Sequence, residues 1–460
     1  MNWRKVYSLL FLIGLFFLPF NSIEGYKVLS IFKKEGSAYF WLPAIGILCT
    51  SFILLRKKIE LPLLTKSYKV FILFILFAMF STLLNSGDIA DHFFKQKSGF
   101  HMFGVNLFML LFAGVGIVAL VLNSFKGIKV ETAFLVTRRV LFYSFLFVFT
   151  YALLQFSILR LRLFDLEAFY YSLDILPFVK GHLYYNTTRL HSVSFEVPAL
   201  GTYLIFIAGW MFSYILTHKS IGRFLPFMMV LLLVYLCGAR SALLSIIPQI
   251  LIVLFLYKPL RVWCIEKKRL LLAISCFALF LFGFVKGKEI YTKWNNTTLE
   301  QLVGDSVSNK SRIGMQVASL HVFCDSPIYG VGLGQETYSK MKYYPAWAVR
   351  DNNEFTDMYL NETDRMYPPA FNVYTKILAE MGIIGFLLFT AFLGAIIREI
   401  YYLLSETKGI HQTISIALLI SLVGLMVNWA QNDDYMLYGF WISYAFVMLL
   451  IKNSSRDEVY

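Results

Sequence analysis

Apolar residues gather into runs of about 16 to 22 along most of the chain, long enough for helices that cross a bilayer core. Short polar stretches divide them. Backbone groups in lipid must pair within their own segment, so each run is expected to be a helix. The pattern predicts twelve spans, at 6–20, 38–55, 70–84, 105–122, 140–158, 198–216, 225–236, 242–257, 270–285, 383–397, 414–429 and 438–451. The expected fold is all-α, a polytopic membrane protein forming a single integral membrane domain over residues 1–460.

Two intervals interrupt this rhythm. Residues 159–196 are rich in Tyr, Phe and Leu and are expected to lie partly on the membrane surface. Residues 286–371 form the longest polar interval and read as a large loop outside the membrane, between the ninth and tenth spans. The first run resembles a signal peptide, but no small-residue cleavage site follows it, so it reads as a retained helix.

Charge sets the orientation. Arg4 and Lys5 hold the amino terminus inside. Arg56, Lys57 and Lys58, then Lys126, Lys129, Arg138 and Arg139, then the stretch 258–269, fall in inner loops. Both ends are then cytoplasmic, and the large loop is periplasmic. The chain is 58% hydrophobic and 15% charged, with a formal net charge of +14. Topology accounts for much of that excess, so nucleic acid is not an expected partner; membrane lipids are. The five cysteines give no disulfide framework, and no Cys/His pattern has metal-ligand spacing. No metal or cofactor is expected. No internal repeat is visible, which weighs against a transporter built from repeated halves.

Three arginines on the outer side are candidates for chemistry. Arg189 precedes the sixth span, Arg240 sits in the tight turn between the seventh and eighth, and Arg312 lies in the large loop. A lone arginine at a membrane boundary commonly snorkels or pairs with a carboxylate. Arg240 resists that reading, because its hairpin is too short to carry the charge away from the bundle mouth. After Arg312 the spacing of Ile313, Val317, Leu320 and Cys324 predicts an amphipathic helix capped by Asn309 or Ser311. Lys310 and Arg312 would then crowd its positive end, a conflict that a bound anion relieves; Asp305 or Asp325 is the alternative source of that anion.

Gly330, Gly332 and Gly334 stand in a loop with no strand before them, so they are weak evidence for a nucleotide and better suited to a tight turn or a close backbone approach. Glu196, just before Pro198, is a candidate general base, with an ion pair to Arg189 as the alternative. His191 is expected at the surface. Asp433 and Asp434 read as a solvated turn before they read as a metal site. Tyr343, Tyr344, Trp347, Tyr359 and Trp294 are expected in an interfacial aromatic belt, with stacking on sugar rings as the alternative.

The chain resembles the Wzy-type O-antigen polymerases and the related O-antigen ligases of bacterial envelopes. The likeness rests on Arg189 with Phe195-Glu196-Val197-Pro198 and Gly201, on Gly238-Ala239-Arg240-Ser241, on Arg312 with Pro327 through Gly334, and on Asn372 through Gly385. It implies a metal-independent, inverting glycosyltransferase acting on undecaprenyl-diphosphate-linked oligosaccharides at the periplasmic face of the inner membrane, with a polysaccharide chain-length regulator as a candidate partner. It implies that arginines bind the diphosphate and leaves the general base open; Glu196, Arg240 and Arg312 are the expected catalytic residues, and Arg189, Lys310, Gly332, Gly334 and Asn372 the expected substrate-binding ones. Ligases of this family usually carry a His immediately before that Asn. Here the position is Phe371, which points to a polymerase; a ligase, or a lipid-linked oligosaccharide flippase, is the alternative.

Overall fold

The computed structural model describes residues 3–23, 32, 34–54, 56, 58–62, 65–185, 189–256, 306–364 and 366–457. Its long helices are α1 Trp3–Phe16, α2 Ala38–Ile53, α3 Lys66–Leu84, α4 Gly99–Ser124, α5 Val130–Leu159, α6 Val197–Thr217, α7 Leu225–Cys237, α8 Arg240–Leu256, α9 Val307–Asp325, α10 Val373–Glu406, α11 Ile410–Asn428 and α12 Tyr438–Asp457. The chain is an all-α polytopic membrane protein. Six of the described helices are long and apolar enough to cross a bilayer, and α2, α7 with the turn before it, and α8 are shorter apolar helices. Every expected span matches a helix except 270–285, which lies outside the described residues, as do 286–305 and Trp294. The only strands among the described residues are the two-residue pair Phe93–Phe94 and Lys97–Ser98.

Helix α6 is the axis of the bundle. Nearly every side chain from Leu200 to Ser213 is buried, whereas α3 turns Leu73, Leu76, Phe80 and Leu83 outward. Between apolar helices in lipid, close approach and internal hydrogen bonds replace the usual hydrophobic drive. Gly209 permits that approach: a Cβ there would come within 2.0 Å of the Ala417 carbonyl on α11. Gln249 on α8 donates to the carbonyls of Ile205 (2.8 Å) and Ile420 (2.9 Å), tying α6, α8 and α11 together.

Two helices depart from regular geometry. A π-helical turn at Phe112–Ile117 interrupts α4, and α10 kinks at Gly382, where φ is 61° and ψ −163°. Helix α5 begins earlier than the polar pattern suggested, so Arg138 and Arg139 lie within it rather than in a loop. Arg138 is accommodated because it donates to Ser213 (3.1 Å) and Thr217 (2.8 Å) and stacks on Tyr214.

The described part of the long polar interval forms a small cap with a core of its own, Met315, Ala348, Phe355 and Tyr359. Helix α9 forms as expected, but a different face packs. Ser311, Gly314, Met315, Ala318, Ser319 and Val322 are buried, whereas Leu320 and Cys324 are exposed. Small residues win here because they let helices touch: a Cβ on Gly314 would lie 2.4 Å from that of Ala348. Tyr344 and Trp347 pack on this core, and Tyr343 stacks on His321.

Candidate functional site

A cavity of about 350 Å³ opens between the cap and the ends of α6, α11 and α12, reaching the chain that follows α1. Its wall includes Glu35, Glu196, Thr202, Asn428, Asp433, Asp434, Arg312 and Phe371. A smaller cavity of about 120 Å³ adjoins it, lined by Arg189, Arg240 and Arg312 with Ser306, Ser308 and Asn309. Pro198, Ser241, Arg312 and Gln431 belong to both walls, so the two form a continuous recess.

Each arginine arrives on a separate element. Helix α7 ends at Gly238, whose φ of 62° is the left-handed conformation that glycine adopts at no steric cost. The chain therefore reverses in two residues, and α8 starts at Arg240. Gly201 of α6 lets Ala239 and Ala242 approach, a Cβ there lying 3.1 Å from each. Arg240 is fixed by donating to Asn309 Oδ1 at 2.7 Å. Arg312 reaches back along α9 to Ser308, 3.4 Å away, and its guanidinium lies 4.7 Å above the Phe371 ring. Helix α9 begins at Val307 after Ser306, earlier than the caps expected at Asn309 or Ser311. Arg312 is thus past the first turn. The helix end still faces the arginine cavity, through Ser306, Ser308 and Asn309, but Lys310 is not among the residues lining either cavity.

Glu196 stands at the N-cap of α6 and makes no capping bond, and Pro198 in the first turn has no N–H to be satisfied. The carboxylate therefore remains turned to the cavity. Reduced solvation there raises its pKa, while Arg312 and Lys34 draw it back. The two residues before it are tied to the chain that follows α1: Ser194 Oγ donates to Pro19 O (2.9 Å), and Phe195 N to Asn21 Oδ1 (3.0 Å). His191 is buried rather than at the surface. Its Nδ1 meets Ser194 O (2.7 Å), and its Nε2 lies 2.9 Å from both Gln155 Nε2 and His182 O; burial is the main cause of its lowered pKa, and the Ser194 and His182 carbonyls oppose it.

Asp433 and Asp434 are engaged as a turn. Asp433 accepts from Ala370 N (2.6 Å) and Asp434 from Met436 N (2.7 Å). This fastens the α11–α12 connection to the start of α10, where Val373 N also meets the carbonyls of Trp429 and Asn432. Among the described residues no group of three His, Cys, Asp or Glu is placed to hold a metal ion.

The remaining expected binding residues lie elsewhere. Asn372 caps α10, accepting from Tyr374 N (2.9 Å) and Thr375 N (3.3 Å). Gly332 and Gly334, at φ of 100° and 79°, are buried against Thr82 and Ile89 and against Met102 and Asn106. Gly332 N donates to Glu380 O (2.8 Å), so these glycines pack the loop against α3, α4 and α10 rather than lining the recess. Phe371, at φ 57°, does reach the cavity.

Sequence reasoning did not single out Glu35. It follows Lys33-Lys34 just before α2, with no motif around it, and 160 residues separate it from Glu196. Its side chain accepts no hydrogen bond among the described residues. Burial and then the charge of Asp434 push its pKa up to about 7.

Comparison with known proteins gives two matches. Residues 224–390 match the family model described as O-antigen ligase. The teichuronic acid biosynthesis protein TuaE of Bacillus subtilis (strain 168) is 24% identical over 249 residues, 52% of this chain and 46% of that protein, so the match spans about half the length of this relative. The likeness to the O-antigen polymerase and ligase family that the sequence motifs suggested is thereby borne out.

Proposed function

We propose that this relative of the O-antigen ligase family is a membrane glycosyltransferase of surface-polysaccharide synthesis, and that it polymerises repeat units carried on undecaprenyl diphosphate. The observation that carries the reading is the convergence of Arg189, Arg240 and Arg312 from three elements on one recess that continues into a carboxylate-lined chamber. Three guanidinium groups on one recess suit a diphosphate, which offers paired oxygens to forked donors. A match to TuaE, named for teichuronic acid biosynthesis, supports the same class of role.

In this mechanism the growing chain, on its diphosphate carrier, is the donor. The diphosphate lies in the arginine cavity, and its anomeric carbon faces the chamber. A hydroxyl of the incoming unit attacks that carbon from the opposite side. As the C–O bond breaks, charge develops on the diphosphate, where Arg240 and Arg312 stabilise it without reorganising. Arg189 orients the donor. The enzyme would sit in the bacterial inner membrane with the recess facing the periplasm, and the cap would roof the site. Phe371 supports polymerase over ligase, because its ring occupies the cavity wall where the ligase resemblance places a His.

A gel of surface polysaccharide from a strain lacking this chain, complemented with wild type or Arg312→Ala, tests the reading. The wild type should restore the ladder, and the variant should leave core bearing a single repeat unit. Full-length polymer from the variant would overturn the diphosphate assignment. Bare core with polymer retained on undecaprenyl diphosphate would identify a ligase. Loss of any outer-face lipid-linked repeat unit would identify a flippase.

A further inference from the structure

Inverting transfer imposes a geometry that the recess can be checked against. The base must act on the face of the sugar opposite the leaving group, so it belongs at the far end of the chamber from the arginines. Two carboxylates with no side-chain hydrogen bond among the described residues line that chamber, Glu35 and Glu196. Asp433 and Asp434 also line it, but both already accept backbone N–H groups.

The two free carboxylates stand in different surroundings. Glu196 adjoins Pro198, which both cavities share, and its charged neighbours are Arg312 and Lys34. Glu35 faces Asp434 from the α11–α12 connection and Tyr438 from α12; around the rest of the chamber are Glu196, Asp433 and Arg312. Burial raises both carboxyls; at Glu196 the neighbouring cations partly offset the rise, whereas at Glu35 the charge of Asp434 adds to it, which makes Glu35 the stronger base and Glu196 the better anchor for Arg312.

We infer that Glu35 is the general base that takes the acceptor hydroxyl proton, and that Glu196 is a positioning residue that sets Arg312 toward the diphosphate. This rests on the transferase reading above. The acceptor O–H proton passes to the Glu35 carboxylate, the freed oxygen bonds the anomeric carbon, and the electron pair of the broken C–O bond leaves with the diphosphate.

The test uses the purified full-length chain in liposomes, with lipid-linked repeat units extracted from the strain that lacks it, and undecaprenyl diphosphate as the binding probe. Glu35→Gln should lower turnover by about 10²–10⁴-fold while keeping affinity for the probe, which also shows that the variant is folded. Glu35→Asp should recover part of the rate. The wild-type rate should fall below about pH 7, where Glu35 protonates. Asp434→Asn keeps the acceptor for Met436 N–H but removes the like charge, so that limb should move to lower pH. Glu196→Gln should keep the limb and bind the probe more weakly. A Glu35→Gln enzyme of wild-type rate, or a limb that vanishes in Glu196→Gln and persists in Glu35→Gln, would overturn the assignment. Wild type that binds the probe but joins no units would refute the polymerase reading itself.

Discussion

A guanidinium and an ammonium carry one charge each, but only the guanidinium can serve two partners in fixed directions. Arg240 spends one N–H on Asn309 and keeps the others for the cavity. Arg240→Lys should therefore lose activity by about 10–100-fold, the worth of one charged hydrogen bond, measured as the rate of polymer formation at unchanged protein level. Elsewhere charge serves the fold. Lys340 and Glu336 pair at 3.0 Å with almost no exposure, and Glu336 also accepts from Ser319. Lys340→Met would strand a buried carboxylate at a cost of about 3–5 kcal/mol, read as a lower thermal midpoint in detergent; a midpoint like that of wild type would show that the pair is dispensable.

The elements show where the sequence was legible and where it was not. Apolar run length located the spans, because lipid leaves the backbone no alternative to a helix. It could not locate the π-turn in α4, nor the packed face of α9, where Gly314 and Ala318 matter for being small rather than apolar. The kink in α10 was likewise invisible until its partner was seen. Gly382 sits in a backbone region that is essentially closed to other residues, and there Ile383 N donates to Pro327 O at 2.8 Å. Gly330, on the facing loop, lies against Glu380 and Met381. Gly382→Ala should cost at least about 1–3 kcal/mol, again visible in the thermal midpoint, and should detach the cap from α10. In the site, Arg240 and Glu196 could be found because each flanks a recognisable turn or helix start, and Arg189 and Arg312 because each is a charge close to one. Glu35 could not: its significance lies in Asp434, at the other end of the chain.

At the scale of the molecule, every described segment of the recess lies at one end of the bundle, as alternating spans require. If that end is periplasmic, an impermeant thiol reagent added to spheroplasts should label Cys324, which is exposed on α9, and Cys324→Ser should abolish that signal. Labelling only after the membrane is opened would reverse the orientation. The size of the chamber has a separate bearing on the product. About 350 Å³ is near the bottom of the range for ligand pockets, about 300–1,000 Å³. On the polymerase reading, such a space would hold the junction being made and not the glycan already made. The described walls of the chamber would therefore offer no ruler. Chain length would emerge as a statistical distribution, set by the odds of another addition against release, and any factor that fixes a modal length would have to act by changing those odds.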